Sequence, residues 1–101
     1  MAGLTSKQRQ FLKARAHGLA PVVRVGKGGL TKAVAAETAT ALRAHELIKV
    51  RIDVEDGAER RALAQELAAS ADAHLAGAVG KVAILYRARE KDPGIRLPIQ
   101  A

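Results

Sequence analysis

The sequence predicts an α/β (α+β) fold in one domain, 1–101, with the element order α-β-α-β-α-β-β and a mixed sheet. Three observations carry that prediction. Residues 46–54 alternate cleanly, with Ile48, Val50, Ile52 and Val54 on one side and Lys49, Arg51 and Asp53 on the other, as a strand with one apolar face does. Helical stretches alternate with the strands, which favours crossover connections and at least one parallel strand pair. Two late strands meet at Gly80-Lys81, a hairpin that makes the sheet mixed. The length of 101 residues suggests one domain, and no internal repeat or long linker divides it.

Each element follows from local signals. Thr5-Ser6-Lys7-Gln8 matches a capping box before the first helix, which runs to about His17. Gly18 lies past its end and Pro21 bars a restart. Leu4, Phe11, Leu12 and Ala16 share one broad side, while Arg9, Lys13 and His17 stand at i, i+4, i+8 as an outward basic ridge. Val22 to Val25 is short and almost wholly β-branched, the composition of a buried central strand. Thr31 opens a helix to about Ala44 whose less polar side is Val34, Thr38, Ala41 and Leu42. After the strand at 46–54, Asp56 begins a third helix, with Glu59 placed to close a capping box and Leu63, Leu67 and Ala71 as the packing stripe. His74 to Val79 and Val82 to Arg87 are the hairpin strands. From Ala88 the chain is polar and punctuated by Pro93, Gly94 and Pro98, a partly ordered tail over 88–101.

Charge narrows the function. Seventeen Lys and Arg against ten Asp and Glu give +7. Residues 1–50 hold nine basic and two acidic side chains, the whole excess, whereas residues 51–101 hold eight of each. Such asymmetry points to a polyanion or an anionic surface. There is no cysteine, hence no disulfide and no thiolate metal site. The first ten residues lack the apolar run of a signal peptide, and no stretch approaches the ~20 apolar residues of a membrane helix. A cytoplasmic protein is the default expectation.

The basic half contains Val22-Val23-Arg24-Val25-Gly26-Lys27-Gly28-Gly29-Leu30-Thr31, a strand, a glycine loop holding one lysine, and a helix cap. Glycines free the backbone for φ > 0 and for close approach by another molecule. Exposed N–H groups, the positive pole of a helix and an ammonium group together suit a phosphate. Gly28 is a candidate for the residue that lets the turn close. Lys32 lies in the first helical turn, where a basic residue opposes the dipole unless an anion binds nearby.

Enzyme chemistries fit poorly. The NTPase phosphate loop needs Gly-x-x-x-x-Gly-Lys before Ser or Thr, whereas Lys27 follows Gly26 and precedes Gly28-Gly29-Leu30. The dinucleotide fingerprint finds Thr31 where its last glycine belongs. His17, His45 and His74 lack ligand spacing, and Ser6 and Ser70 lack a nucleophile elbow. No metal, cofactor or small-molecule substrate is expected. Nucleic acid, and RNA in particular, is the better class. Phe11 and Tyr86, the only aromatics, both read as packed, which argues against base-stacking platforms. Backbone recognition by a Gly-x-x-Gly loop, as in the KH module, remains, and Gly26-Lys27-Gly28-Gly29 is such a tetrapeptide.

Five stretches carry a wider resemblance: Leu4 to Arg9, Pro21 to Thr31, His45 to Ile52, Gly80-Lys81 with Ala83 to Arg87, and Ile95 to Pro98. In order and spacing the chain resembles the CRM (chloroplast RNA splicing and ribosome maturation) domain family, most closely its single-domain bacterial YhbY-like RNA-binding members. The resemblance implies a four-stranded mixed sheet similar to the C-terminal domain of translation initiation factor 3. It implies RNA binding through Gly26, Lys27, Gly28 and Gly29, and a role on ribosomal RNA in precursors of the large subunit. Arg9, Lys13, Arg24, Lys32, Lys49 and Arg51 are the surrounding basic candidates. The rival expectation is a protein-interaction module of the ribosome or translation apparatus, its basic face meeting an acidic protein. A small transferase holding a nucleotide phosphate on the loop is a third class, which requires saturable mononucleotide binding.

Overall fold

A computed structural model describes residues 3–98; positions 99–101 of the expected tail lie outside the described residues. The elements are α1 (Ser6–Ala16), β1 (Pro21–Val25), α2 (Lys32–His45), β2 (Leu47–Ile52), α3 (Gly57–Ser70), β3 (His74–Val79) and β4 (Val82–Tyr86), in the expected order. They build a four-stranded sheet in the order β1-β2-β4-β3. β1 and β2 are parallel, while β2–β4 and β3–β4 are antiparallel.

Pleating divides the apolar side chains between two layers. Val23, Val25, Ile48, Val50, Ile52, Ala83 and Leu85 face α2 and α3, where Leu42, Ala64, Leu67, Ala68 and Ala71 complete the larger core. On the opposite face Leu47, Ala76, Ile84 and Tyr86 pack against Leu12 and Ala16 of α1 and Ile95 of the C-terminal segment. The apolar sides read from α1 and β2 therefore point as expected, and Phe11 and Tyr86 are packed, Tyr86 also stacking on His74 with ring centroids 6.3 Å apart.

The caps on α1 and α2 also form. Thr5 and Gln8 make the reciprocal capping box, and the Thr31 hydroxyl accepts the Val34 N–H at 3.1 Å. Asp56 caps α3 by accepting the Ala58 N–H at 3.3 Å, but Glu59 does not close the expected box among the described residues.

Two placements differ from expectation. β1 is an edge strand, not a central one. Val23 and Val25 are buried but Val22 is 50% exposed, since β-branched composition reports a covered face and not the number of neighbouring strands. Glu46, expected to begin β2, instead ends α2 with φ +62 and is 2% exposed. Its carboxylate accepts the Arg89 N–H at 3.0 Å and the Gly94 N–H at 2.6 Å, which docks the segment after β4.

Candidate nucleic-acid interface

β1 ends at Val25, and the chain turns through Gly26-Lys27-Gly28-Gly29 before α2. The Gly29 N–H donates to the Gly26 carbonyl at 3.0 Å, which closes a four-residue turn. Gly29 has φ +73, a left-handed conformation that favours glycine. It is thus Gly29, and not Gly28, that closes the turn, because only Gly29 carries the unusual backbone angle. A side chain on Gly26 or Gly28 would meet nothing within 4 Å, and neither has a positive φ. Gly26, Lys27 and Gly28 are all exposed. Thr31 then caps α2, whose first turn holds Lys32 and no acid. A bare, accessible backbone thus carries Lys27 within it and is followed closely by the helix pole and Lys32, an arrangement suited to a phosphodiester.

Arg24 and Arg51 stand on adjacent strands beside this turn, Cα partners in the β1–β2 ladder. Asp53 joins them. Its backbone N–H donates to the Val25 carbonyl at 2.9 Å, and its carboxylate pairs with Arg24 and, at 2.7 Å, with Arg51. Hydrogen bonds from Arg24 and then Arg51 hold the Asp53 carboxyl below the usual carboxylate range. Both guanidinium groups stay accessible, Arg24 being 71% exposed, but the carboxylate offsets one of the two charges.

The remaining candidates lie elsewhere. Lys49 is half-buried and donates to the His17 carbonyl at 3.3 Å, at the C-terminal end of α1. Arg9 and Lys13 are exposed on α1 and line a groove of about 610 Å³ beside β3, the opposite edge of the sheet from β1. Arg60 and Arg61 of α3 and Lys81 of the hairpin line the same groove. The basic ridge of α1 and the glycine turn are thus two regions, because α1 packs on the β3–β4 side of the sheet.

Sequence reasoning missed Asp53 as a partner of the arginines and missed the second basic cluster. The Arg60-Arg61 doublet and the lysine at the hairpin tip were the available signals. What they lacked was the sheet order, which puts β3 beside both α1 and α3. Among the described residues no group of three or more His, Cys, Asp or Glu side chains could hold a metal ion, and no helix is long and apolar enough to cross a membrane.

Comparison with known proteins places the chain in a family. The chain is 42% identical over 88 residues to a protein of Pseudomonas aeruginosa named a probable RNA-binding protein, covering 87% of this chain and 85% of the other. It is 40% identical over 98 residues to a Haemophilus influenzae protein named RNA-binding protein, covering 97% and 98%. The solution structure of a Staphylococcus aureus protein, described as a candidate RNA-binding protein, superposes with a TM-score of 0.85 at 29% identity, covering 94% of this chain and 99% of that one. Residues 4–87, from before α1 to the end of the sheet, match the CRS1 / YhbY (CRM) domain, and the chain belongs to that family.

Proposed function

We propose that this protein is a non-enzymatic, cytoplasmic RNA-binding protein acting on ribosomal RNA of large-subunit precursors during ribosome assembly. The Gly26–Gly29 turn lies along the sugar–phosphate chain, Lys27 within it and Lys32 just after it add charge, and Arg24 and Arg51 extend the contact across the sheet. Arg9 and Lys13 contribute from α1, while Lys49 serves mainly to hold the end of that helix.

The observation that supports the turn as the contact is the bareness of Gly26 and Gly28. The fold requires neither glycine, whereas a phosphate approaching backbone N–H groups requires both to lack side chains. The names of the family relatives support RNA as the ligand class. Recognition by shape and backbone fits a chain whose two aromatics are packed into its core.

Filter binding to structured fragments of large-subunit rRNA tests the contact. Lys27→Ala weakens binding, leaves the melting curve in place, and shallows the log–log salt dependence by about one contact, a slope change of roughly 0.7–0.9. An unchanged affinity and slope would remove the turn from the interface. Crosslinking in cell extract, followed by sequencing of the attached RNA, tests the assembly role. It recovers large-subunit rRNA if the reading holds; recovery of messenger or transfer RNA instead overturns that role.

A further inference from the structure

We propose that the groove beside β3 is a docking site for an extended acidic segment of another protein, which joins the sheet as a fifth strand. Two features coincide there, an open sheet edge and a cationic rim. β3 pairs only with β4, and among the described residues no further backbone hydrogen bond takes up the outward groups of His74 to Val79. The register shifts between Leu75 and Gly77, and on either side of that irregularity the edge presents donors and acceptors in alternation at strand spacing. A polypeptide strand matches that pattern; phosphate oxygens, acceptors only, do not.

The floor is low because Ala76, Gly77 and Ala78 are small. Gly77 has a further consequence. A Cβ there would come within 2.8 Å of Lys13 Cδ, so the bare position lets the Lys13 stem lie flat across β3. Arg9 and Lys13 border the groove from α1, Arg60 and Arg61 from α3, and Lys81 at the hairpin tip. No acidic side chain lines the groove among the described residues, and Glu55, which pairs with Lys81, offsets one of the five charges.

Charge selects the occupant. A second copy of this chain, itself +7, would bring two cationic rims together, so the rim opposes self-pairing. An acidic strand instead sends side chains alternately toward α1 and α3 and meets cations on both sides. The site lies at the sheet edge opposite the glycine turn; it shares Arg9 and Lys13 with the RNA reading, whereas Arg61 and the β3 edge belong to the groove alone.

The test uses the intact, isotope-labelled protein and an acetylated, amidated octapeptide of two Glu-Glu-Thr-Thr repeats, which as a strand carries glutamates on both sides, with a lysine-for-glutamate twin. The acidic peptide shifts the backbone amides of β3 and slows their hydrogen exchange, while those of β1 stay unchanged and the twin has no effect. Arg61→Glu, an exposed site outside the core, weakens the peptide roughly fivefold. Lys27→Ala leaves it unchanged, so failure of the groove and failure of the RNA contact are read separately. Absence of shifts at millimolar peptide would overturn the proposal. So would equal binding of the twin, β3 protection by a uridine oligonucleotide but not by the peptide, or protection that grows with protein concentration alone.

Discussion

The glycines of the turn answer to different constraints. At Gly29 the backbone itself disfavours a side chain, with φ +73, and the nearest obstacle to a Cβ is Leu63 Cδ2 at an ordinary 3.8 Å. Gly29→Ala therefore destabilises the fold by about 1 kcal/mol through backbone strain. At Gly26 and Gly28 an alanine meets open space, so Gly26→Ala and Gly28→Ala stay within about 0.5 kcal/mol of the parent in urea unfolding. If the turn lies on a phosphate chain, the same two variants lose RNA affinity despite their intact stability. Equal affinity for the parent and both alanine variants would leave these glycines without a binding role. The tetrapeptide was legible as a candidate contact from sequence; the division of labour within it was not, because glycine spacing carries no dihedral angles. Asp53 was hidden for a related reason. Alternation placed it on the same side as Arg51, but its second partner, Arg24, comes from a different strand.

Elements with local causes were legible. The Thr5 box, the Thr31 cap and the strict alternation of β2 involve neighbours within a few residues, and all three stand where expected. Failures came where an element's surroundings decided its character. The rank of β1 in the sheet depends on which strand pairs with β2 on its other side, and that strand is β4, about 30 residues further on. The α2 cap joins stability to the proposed contact. Thr31→Ala removes the side-chain acceptor for the Val34 N–H and costs about 1 kcal/mol, whereas Thr31→Ser keeps the acceptor and loses less. Only Leu30 and Thr31 separate the turn from the helix, so fraying its first turn also loosens the phosphate cradle. Thermal melts should order the proteins as parent, serine, alanine, and RNA affinity should follow the same order. An alanine variant with parental stability would show that the cap is redundant.

Across the whole molecule, the charge asymmetry was legible as composition but not as a surface. The sheet sets the basic first half, β1 and β2, beside the neutral second half, β4 and β3, and packing then draws cations of both halves to the β3 groove. The C-terminal segment has the longest reach. Ile95 is buried and Leu97, like Leu4 and Phe11, packs against the core beneath α1, while Gln8 Nε2 donates to the Pro98 carbonyl at 3.2 Å. Glu46 fastens this segment from the far end of α2. Burial alone would raise its pKa, but the N–H groups of Arg89 and Gly94, the Arg89 guanidinium and the Ile95 N–H outweigh that and hold it below the ordinary 4.5. Gly94 brings its backbone close, since a Cβ there would lie 3.0 Å from Glu46 Oε1 and push the carboxylate by a few tenths of an ångström. A lowered folded-state pKa gives stability that is full above pH 4.5 and is lost as pH falls through the folded value. Removing residues 88–101 should cost roughly 3 kcal/mol, from the lost burial of Ile95 against the core and the lost charge-assisted bonds together. Glu46→Gln in the full chain should cost about 2 kcal/mol and erase part of the acid-sensitive limb. In the truncated chain the carboxylate faces water, so the same substitution should be nearly neutral. The difference between the two backgrounds measures the coupling of Glu46 to the tail. Equal effects in both would mean that Glu46 stabilises α2 by itself and that the docked segment is held by its apolar contacts alone.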